Sequence, residues 1–271
     1  MINISVVIPM YNSQETIIKC LDSVKNQSEF HFIKEIIIID DGSTDDSEKI
    51  VNTYKIKNPN LPIILIKKEN GGVSSARNLG IKLSNYNWIA LLDSDDVWFP
   101  NKIKLQVRAL EKHPEIKFLG SNRNNEHVKI GKEVYDDIYK MNIHCFLLKV
   151  WPSVPTVIFN KEIIDYVGYF DESKNHGEDG SFWLSILRYD SIYYLKESLV
   201  YTGNGKASFG ESGLSANNKL MHKGCKNLII DAYKNKDIGF FSFFIYLLYE
   251  QIKYIRRLII TRRRQLCKLK K

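Results

Sequence analysis

Three apolar runs in the first hundred residues each end in side chains able to do chemistry. Ile2–Ile8 leads into Pro9-Met10-Tyr11-Asn12, Ile33–Ile39 into Asp40-Asp41-Gly42-Ser43, and Trp88–Leu92 into Asp93-Ser94-Asp95-Asp96. Five carboxylates gathered at one rim repel one another unless a cation or hydrogen-bond donors sit among them. Asp93 and Asp95 alternate with Ser94, so at a strand end their side chains leave on the same side. Two oxygen ligands at that spacing suit Mg²⁺ or Mn²⁺, hard cations that keep waters and take further oxygens from phosphates. A plainer account has Asp41 and Asp93 capping the helices that follow. It explains either cluster alone, but not the concentration of acid on one edge. Neither GxGxxG nor the GxxxxGK phosphate loop follows the first run, which disfavours a dinucleotide-dependent dehydrogenase and a P-loop kinase. A nucleotide bound here needs a metal on the carboxylates to hold its phosphates.

These residues must be positioned by a regular scaffold, and the pattern supplies one. Ile2–Ile8, Ile33–Ile39, Leu61–Ile66 and Trp88–Leu92 read as strands apolar on both faces, as parallel strands covered by helices are. Between them Glu15–Lys25, Asp45–Lys55, Ser75–Ser84 and Asn101–Lys112 carry helical periodicity, each opening near a Ser, Thr, Asp or Asn. The spacing predicts an α/β fold with a parallel sheet, and ligands of such sheets bind outside the carboxyl ends of the strands. Farther on, Ser153–Asn160 and Ser191–Lys196 read as strands and Asp179–Tyr189 as a helix, while Lys117–Trp151 is mixed. Thr202–Asn218 has four glycines and three serines without periodicity, the composition of a mobile loop. Two helices, Asn217–Lys234 and Ile238–Lys271, close the chain.

The stretches SVVIPMYNSQETIIKCLDSVKNQ, IIIIDDGSTDDS, NGGVSSARNLGI, WIALLDSDDVW and GEDGSFWLSI together resemble family 2 glycosyltransferases of the GT-A fold. The resemblance implies a GT-A-type nucleotide-binding sheet flanked by helices, and inverting transfer of a sugar from a nucleotide diphosphate sugar, most often UDP-linked. It places Pro9, Tyr11, Asp40 and Asp41 at the base and ribose, and Arg77 on the donor side. Asp93, Ser94 and Asp95 become the metal motif, with Asp93 and Asp95 as ligands of Mn²⁺ or Mg²⁺, and Asp179 the catalytic base.

The chemistry asks for the same groups. A leaving diphosphate needs a Lewis acid, and an attacking hydroxyl needs a carboxylate within hydrogen-bond reach. Asp179 suits that role because it opens a helix after Gly177, where the helix terminus is expected to lower its pKa. Helix capping is its plainer role. Arg77 reads as a surface ion pair to Asp93 or Glu69, a brace for the metal ligands, or a phosphate contact. Lys206, in the expected loop, is a candidate to reach the diphosphate if that loop closes as a lid.

On this reading residues 1–215 are the catalytic domain, with 1–120 the nucleotide-sugar-binding half and 121–215 the acceptor-side half. Residues 216–271 form a basic helical extension. Arg256–Lys271 holds eight of the 39 Lys and Arg and no acid, leaving 31 basic against 31 acidic residues elsewhere. The net charge of +8 therefore sits at the C-terminus and is not a nucleic-acid footprint of the body. With Ile238–Tyr249 almost wholly apolar before it, this end reads first as an amphipathic helix on an anionic membrane surface. A helix packed on the body with a basic tail, or a nucleic-acid tail, are the alternatives. No apolar run is long enough to span a bilayer, the N-terminus lacks the pattern of a secretory signal, and the four cysteines show no CxxC spacing. The expectation is a cytoplasmic protein peripheral on the inner face of the cell membrane. By family analogy its acceptor is a glycan on a polyprenyl diphosphate, as in bacterial surface polysaccharide synthesis. Two other readings compete: a sugar-phosphate nucleotidyltransferase, and a non-catalytic nucleotide-sugar or membrane-binding module.

Overall fold

The computed structural model describes residues 1–174, 176–203, 209 and 216–269, with side chains to 266. Strands β1 (Ile4–Met10), β2 (Ile33–Asp40), β3 (Ile63–Lys67) and β4 (Trp88–Leu91) alternate with helices α1 (Ile17–Lys25), α2 (Ser47–Lys57) and α3 (Val73–Leu83). Then follow β5 (Val97–Trp98), α4 (Lys102–Lys112), β6 (Phe118–Arg123), β7 (Lys132–Tyr135), β8 (Ile138–Met141) and α5 (Ile143–Leu148). The rest is β9 (Ile158–Asn160), α6 (Ile163–Val167), α7 (Glu178–Tyr189), β10 (Ile192–Tyr201), α8 (Asn218–Lys234) and α9 (Phe240–Leu269). The strands form one sheet in the order β3-β2-β1-β4-β9-β6-β10-β8-β7, with β5 pairing to β10. The first four strands are mutually parallel; β9 runs antiparallel between β4 and β6. The strand order therefore reverses direction of growth at β1, where β2 lies on one side and β4 on the other, and a crevice opens at the strand ends.

The continuous apolar run of β1 has a simple cause. Its alternate side chains feed two cores: Val6 and Ile8 pack with Ile17, Leu21 and Val24 of α1, while Val7 packs with Ile81 of α3. Helix α3 comes unusually near the sheet, since a Cβ on Gly80 would lie 2.4 Å from Val7 Cγ1. The second core continues into the C-terminal helices. Leu228, Ile229 and Ala232 of α8, and Ile238 and Tyr246, are buried with Phe182, Trp183 and Ile186 of α7.

Two expectations are corrected here. The first half of the expected strand at 153–160 is a 3-10 turn, Val154–Thr156, and only Ile158–Asn160 is strand; Pro155 in that turn has no N–H to give a ladder. Nor do Asp41 and Asp93 cap helices, for α2 begins after Asp46 and α4 after Asn101. The expected lid, Thr202–Asn218 with Lys206, lies for the most part outside the described residues.

Candidate active site

The loop after β1 is stitched to its neighbours by short polar side chains. Asn12 N–H donates to Ser43 Oγ (3.0 Å), and Asn12 Oδ1 accepts from Thr44 N–H (2.9 Å). Asn12 has φ +48°, a left-handed conformation that asparagine tolerates well. Ser13 N–H donates to Ser47 Oγ (2.7 Å), and the Ser13 and Ser94 hydroxyls pair at 2.7 Å. Ser94 thus ties the β4 loop to the β1 loop. Pro9 is buried within β1, and Tyr11, just beyond it, is exposed.

Asp40 is fully buried at the end of β2. Its Oδ1 accepts from Ser43 N–H (2.9 Å), while Oδ2 has no partner among the described residues. Asp41, also buried, accepts three donors: Lys68 Nζ (2.7 Å) and Gly71 N–H (2.9 Å) on Oδ1, and Gly72 N–H (2.8 Å) on Oδ2. Gly72 has φ +87°, a backbone state that glycine reaches without strain, so the NGG segment can turn both amides onto one carboxylate. Asp41 Oδ1 is filled by its two donors, while Asp41 Oδ2 and Asp40 Oδ2 keep lone-pair capacity for a ligand.

Arg77 is the hinge of the site. Sequence alone allowed a surface ion pair; instead the guanidinium is buried and bridges two acids. Its Nη2 donates to Asp93 Oδ1 at 2.8 Å and its Nη1 to Glu178 Oε1 at 3.4 Å, and the group stands 5.5 Å from the Phe170 ring centre. Burial opposes its charge, but Asp93, Glu178 and Asp179 outweigh it and raise its pKa above the ordinary value. So α3, the β4 loop and the first turn of α7 meet through one side chain.

Asp179 is half-buried, with Oδ1 accepting from Gly180 N–H at 2.7 Å. The helix terminus was expected to lower its pKa. The net direction is upward, because burial, with help from Asp93, exceeds the pull of the Gly180 amide and Arg77. Glu178 is raised as well, by burial first and then by Asp179. Asp96, pushed to about 8 by burial and by Asp93 and Asp95, accepts from Gly203 N–H at 2.8 Å.

Three participants were not singled out from the sequence. Glu178 stands inside the GEDG stretch, yet its bond to Arg77 spans 101 residues. Asp96 was counted with the rim acids and given no role of its own. Arg123, at the end of β6, has its charge felt by both Asp96 and Asp179, and donates from Nη1 to Thr202 Oγ1 at 3.4 Å. No local motif marks it.

Among the described residues no group of three or more His, Cys, Asp or Glu is arranged to hold a metal by itself. Asp93 and Asp95 fit a different kind of site. Asp93 is partly exposed with one oxygen held by Arg77, and Asp95 is exposed beside it. Their charges also reach Asp96. Two hard oxygen donors, open to solvent, suit a Mg²⁺ or Mn²⁺ ion whose other ligands are water and diphosphate.

The profile of Glycosyl transferase family 2 matches residues 5–157. An uncharacterized glycosyltransferase of Rickettsia bellii is 35% identical over 185 residues, 68% of this chain and 26% of its own length. The chain spans about a quarter to a third of the first such Rickettsia relatives. UDP-Glc:alpha-D-GlcNAc-diphosphoundecaprenol beta-1,3-glucosyltransferase WfgD of Escherichia coli is 27% identical, covering 79% of this chain and 80% of that one. Among solved structures, S. aureus TarS 1-349 in complex with UDP-GlcNAc superposes with a TM-score of 0.68 at 21% identity, over 90% of this chain and 70% of that one. The mannosyltransferase PcManGT from Pyrobaculum calidifontis, in complex with GDP-Man and Mn²⁺, gives 0.65 at 18%, over 92% and 68%. The profile runs across more than half the chain and through the strand ends that carry Asp40, Asp41, Asp93 and Asp95. With the sheet superposing on those of two nucleotide-sugar enzymes, the chain belongs to glycosyltransferase family 2 and has the GT-A fold.

Proposed function

We propose that this glycosyltransferase moves a hexose or N-acetylhexosamine from a UDP-sugar to a hydroxyl of a glycan acceptor, with inversion at the anomeric carbon. The observation that carries the reading is the Arg77 bridge. It joins a metal-type carboxylate, Asp93, to the turn bearing Asp179, so donor-side and acceptor-side groups are held in one frame.

Pro9, Tyr11, Asp40 and Asp41 form the base and ribose side of the donor site, with Lys68 and the two glycine amides keeping Asp41 in place. Asp93 and Asp95 are the residues to hold Mn²⁺ or Mg²⁺, with Ser94 fixing their loop. When bound there, such an ion supplies a Lewis acid for the charge growing on the leaving diphosphate. Arg77 keeps Asp93 oriented and offsets the buried charge of Glu178. Asp179 takes the proton from the attacking acceptor hydroxyl as that oxygen bonds to the anomeric carbon and the bond to the diphosphate breaks. A carboxylate whose pKa is raised by burial is a better proton acceptor than a free one.

The acceptor proposed is a glycan on a polyprenyl diphosphate, as the name of the E. coli relative describes for its own substrate. That places the enzyme at the cytoplasmic face of the membrane, in surface-polysaccharide synthesis. The catalytic part is residues 1–215, and 216–271 is the membrane-facing part.

Calorimetric titration of UDP with Mn²⁺, then with EDTA, tests the donor site. Metal-dependent binding that Asp95→Asn removes is expected, and equal binding in EDTA counts against it. Asp179→Asn is expected to keep UDP binding and to lose about 10²–10⁴ in turnover with an accepted donor. Full turnover in that variant removes Asp179 from the role of base.

A further inference from the structure

Helix α9 has two faces with opposite chemistry. Its inner face is fastened to the body. Tyr246 Oη pairs with His144 Nδ1 at 2.8 Å, Lys253 Nζ donates to Leu148 O at 3.0 Å, and Thr261 Oγ1 accepts from Asn218 Nδ2 at 3.0 Å. Glu250 is buried among His222 (3.3 Å), Lys253 (2.9 Å) and Arg257 (2.5 Å). Arg264 stands 5.0 Å from the ring centre of Phe209.

The outer face presents Phe241, Ile245, Leu248, Ile252, Ile255 and Ile259, all exposed, with Phe241 at 82%. Their spacing alternates four and three residues, which keeps them in one stripe along the helix. From Phe241 to Ile259 that stripe is roughly 27 Å long at about 1.5 Å per residue. Every charged side chain exposed on this helix as far as Leu266 is cationic: Arg256, Arg262 and Arg263. Glu250 is the only acid in α9 as far as Leu266, and it faces inward with its charge already matched.

We infer that this outer face lies flat on an anionic lipid bilayer, its apolar stripe at the acyl boundary and Arg256, Arg262 and Arg263 on the headgroups. Charge complementarity selects this occupant. A second copy of the chain would bring a cationic helix against a cationic helix with no exposed carboxylate to pair across the seam, an arrangement that like-charge repulsion disfavours. Nor does the helix cross the bilayer, since no described helix is long and apolar enough to do so. The sequence pattern placed the apolar part in Ile238–Tyr249 and the basic part after it. The structure extends the apolar stripe ten residues farther and divides the basic residues, with Lys253, Arg257 and Arg264 turned inward as fasteners. The inference deepens the membrane-associated reading of the previous section, on which it rests, by naming the face of α9 and the side chains that meet the lipid.

Flotation of the full chain with vesicles of phosphatidylcholine, with and without phosphatidylglycerol, tests it. The chain is expected to float with anionic vesicles at low salt and to be released as screening shortens the reach of the charges. Arg256→Gln, Arg262→Gln and Arg263→Gln together are expected to weaken partitioning about a hundredfold. Phe241→Ser, Leu248→Ser and Ile252→Ser together should weaken it at least ~10-fold. UDP affinity, measured alongside, should stay unchanged in both sets, which shows that the fold and the donor site survive. Equal flotation with neutral vesicles, or flotation indifferent to either set, overturns the inference. So does a wild-type chain that fails to float and runs in light scattering as a dimer that the serine set splits. A chain that floats as expected but binds no nucleotide leaves the docking face standing and defeats the catalytic reading instead.

Discussion

Arg77 concentrates the physics of this site in a single side chain. A buried guanidinium facing Asp93, Glu178 and Asp179 keeps acids apart that would otherwise neutralise themselves by taking up protons. Arg77→Met strands Asp93 and Glu178 without a counter-charge and should cost about 3–5 kcal/mol of folding stability, read from urea denaturation. Arg77→Lys keeps the charge, yet one ammonium lacks the fork that reaches two carboxylates from two nitrogens. That variant should fold and lose about tenfold or more in metal-dependent UDP affinity; an unchanged affinity would falsify the bracing role. The five rim carboxylates were legible in the sequence because each follows an apolar strand run. The partner of Arg77 at Glu178 was not, because no periodicity links residues 101 apart. Lys102 and Gln106 were hidden in a similar way. Polar by type, both are fully buried, the ammonium donating to Gln106 Oε1 at 2.7 Å and lying 4.0 Å from the Trp98 ring centre.

Among the elements, the first 112 residues were readable nearly strand by strand. Parallel strands covered on both faces leave unbroken apolar runs, and the intervening helices keep their own period. The region from 117 to 151 resisted, because β7 and β8 are four residues each and half of β7 is exposed, too short for alternation to register. One helix position shows how tightly an element seats. Alanine in place of Gly80 would favour the helical backbone by up to ~1 kcal/mol, but its methyl meets Val7 Cγ1 at 2.4 Å. Overpacking should win, with a net loss of about 1–2 kcal/mol and a melting temperature lower by roughly 2–4 °C or more. A variant as stable as the parent would show that α3 can retreat from β1 without cost.

The whole molecule is a sheet with its chemistry on one rim and a pair of helices, α8 and α9, closing one side. Glu250 is the electrostatic bolt of that pair. Its carboxyl lies below the usual range, burial being outweighed by Lys253 and Arg257. Because the folded-state pKa is depressed, its stabilising contribution is complete above the unfolded value of about 4.3. It is lost as pH falls through the lower folded value. Amide hydrogen exchange across residues 240–266 should therefore accelerate in that acid window ahead of β1 and β2, and Glu250→Gln should show the faster exchange already at neutral pH. Uniform protection down to low pH contradicts this.

The close approach of α7 and α8 carries a metric consequence. A Cβ on Gly177 would lie 3.3 Å from Gly224 Cα, so α8 rests directly against the turn that leads to Asp179. His222, two positions before Gly224, holds Glu250 of α9. One helix, α8, thus touches both the turn before Asp179 and the helix proposed to lie on lipid. On that proposal, the packing at Gly177–Gly224 and His222–Glu250 sets where the proposed base stands relative to the bilayer.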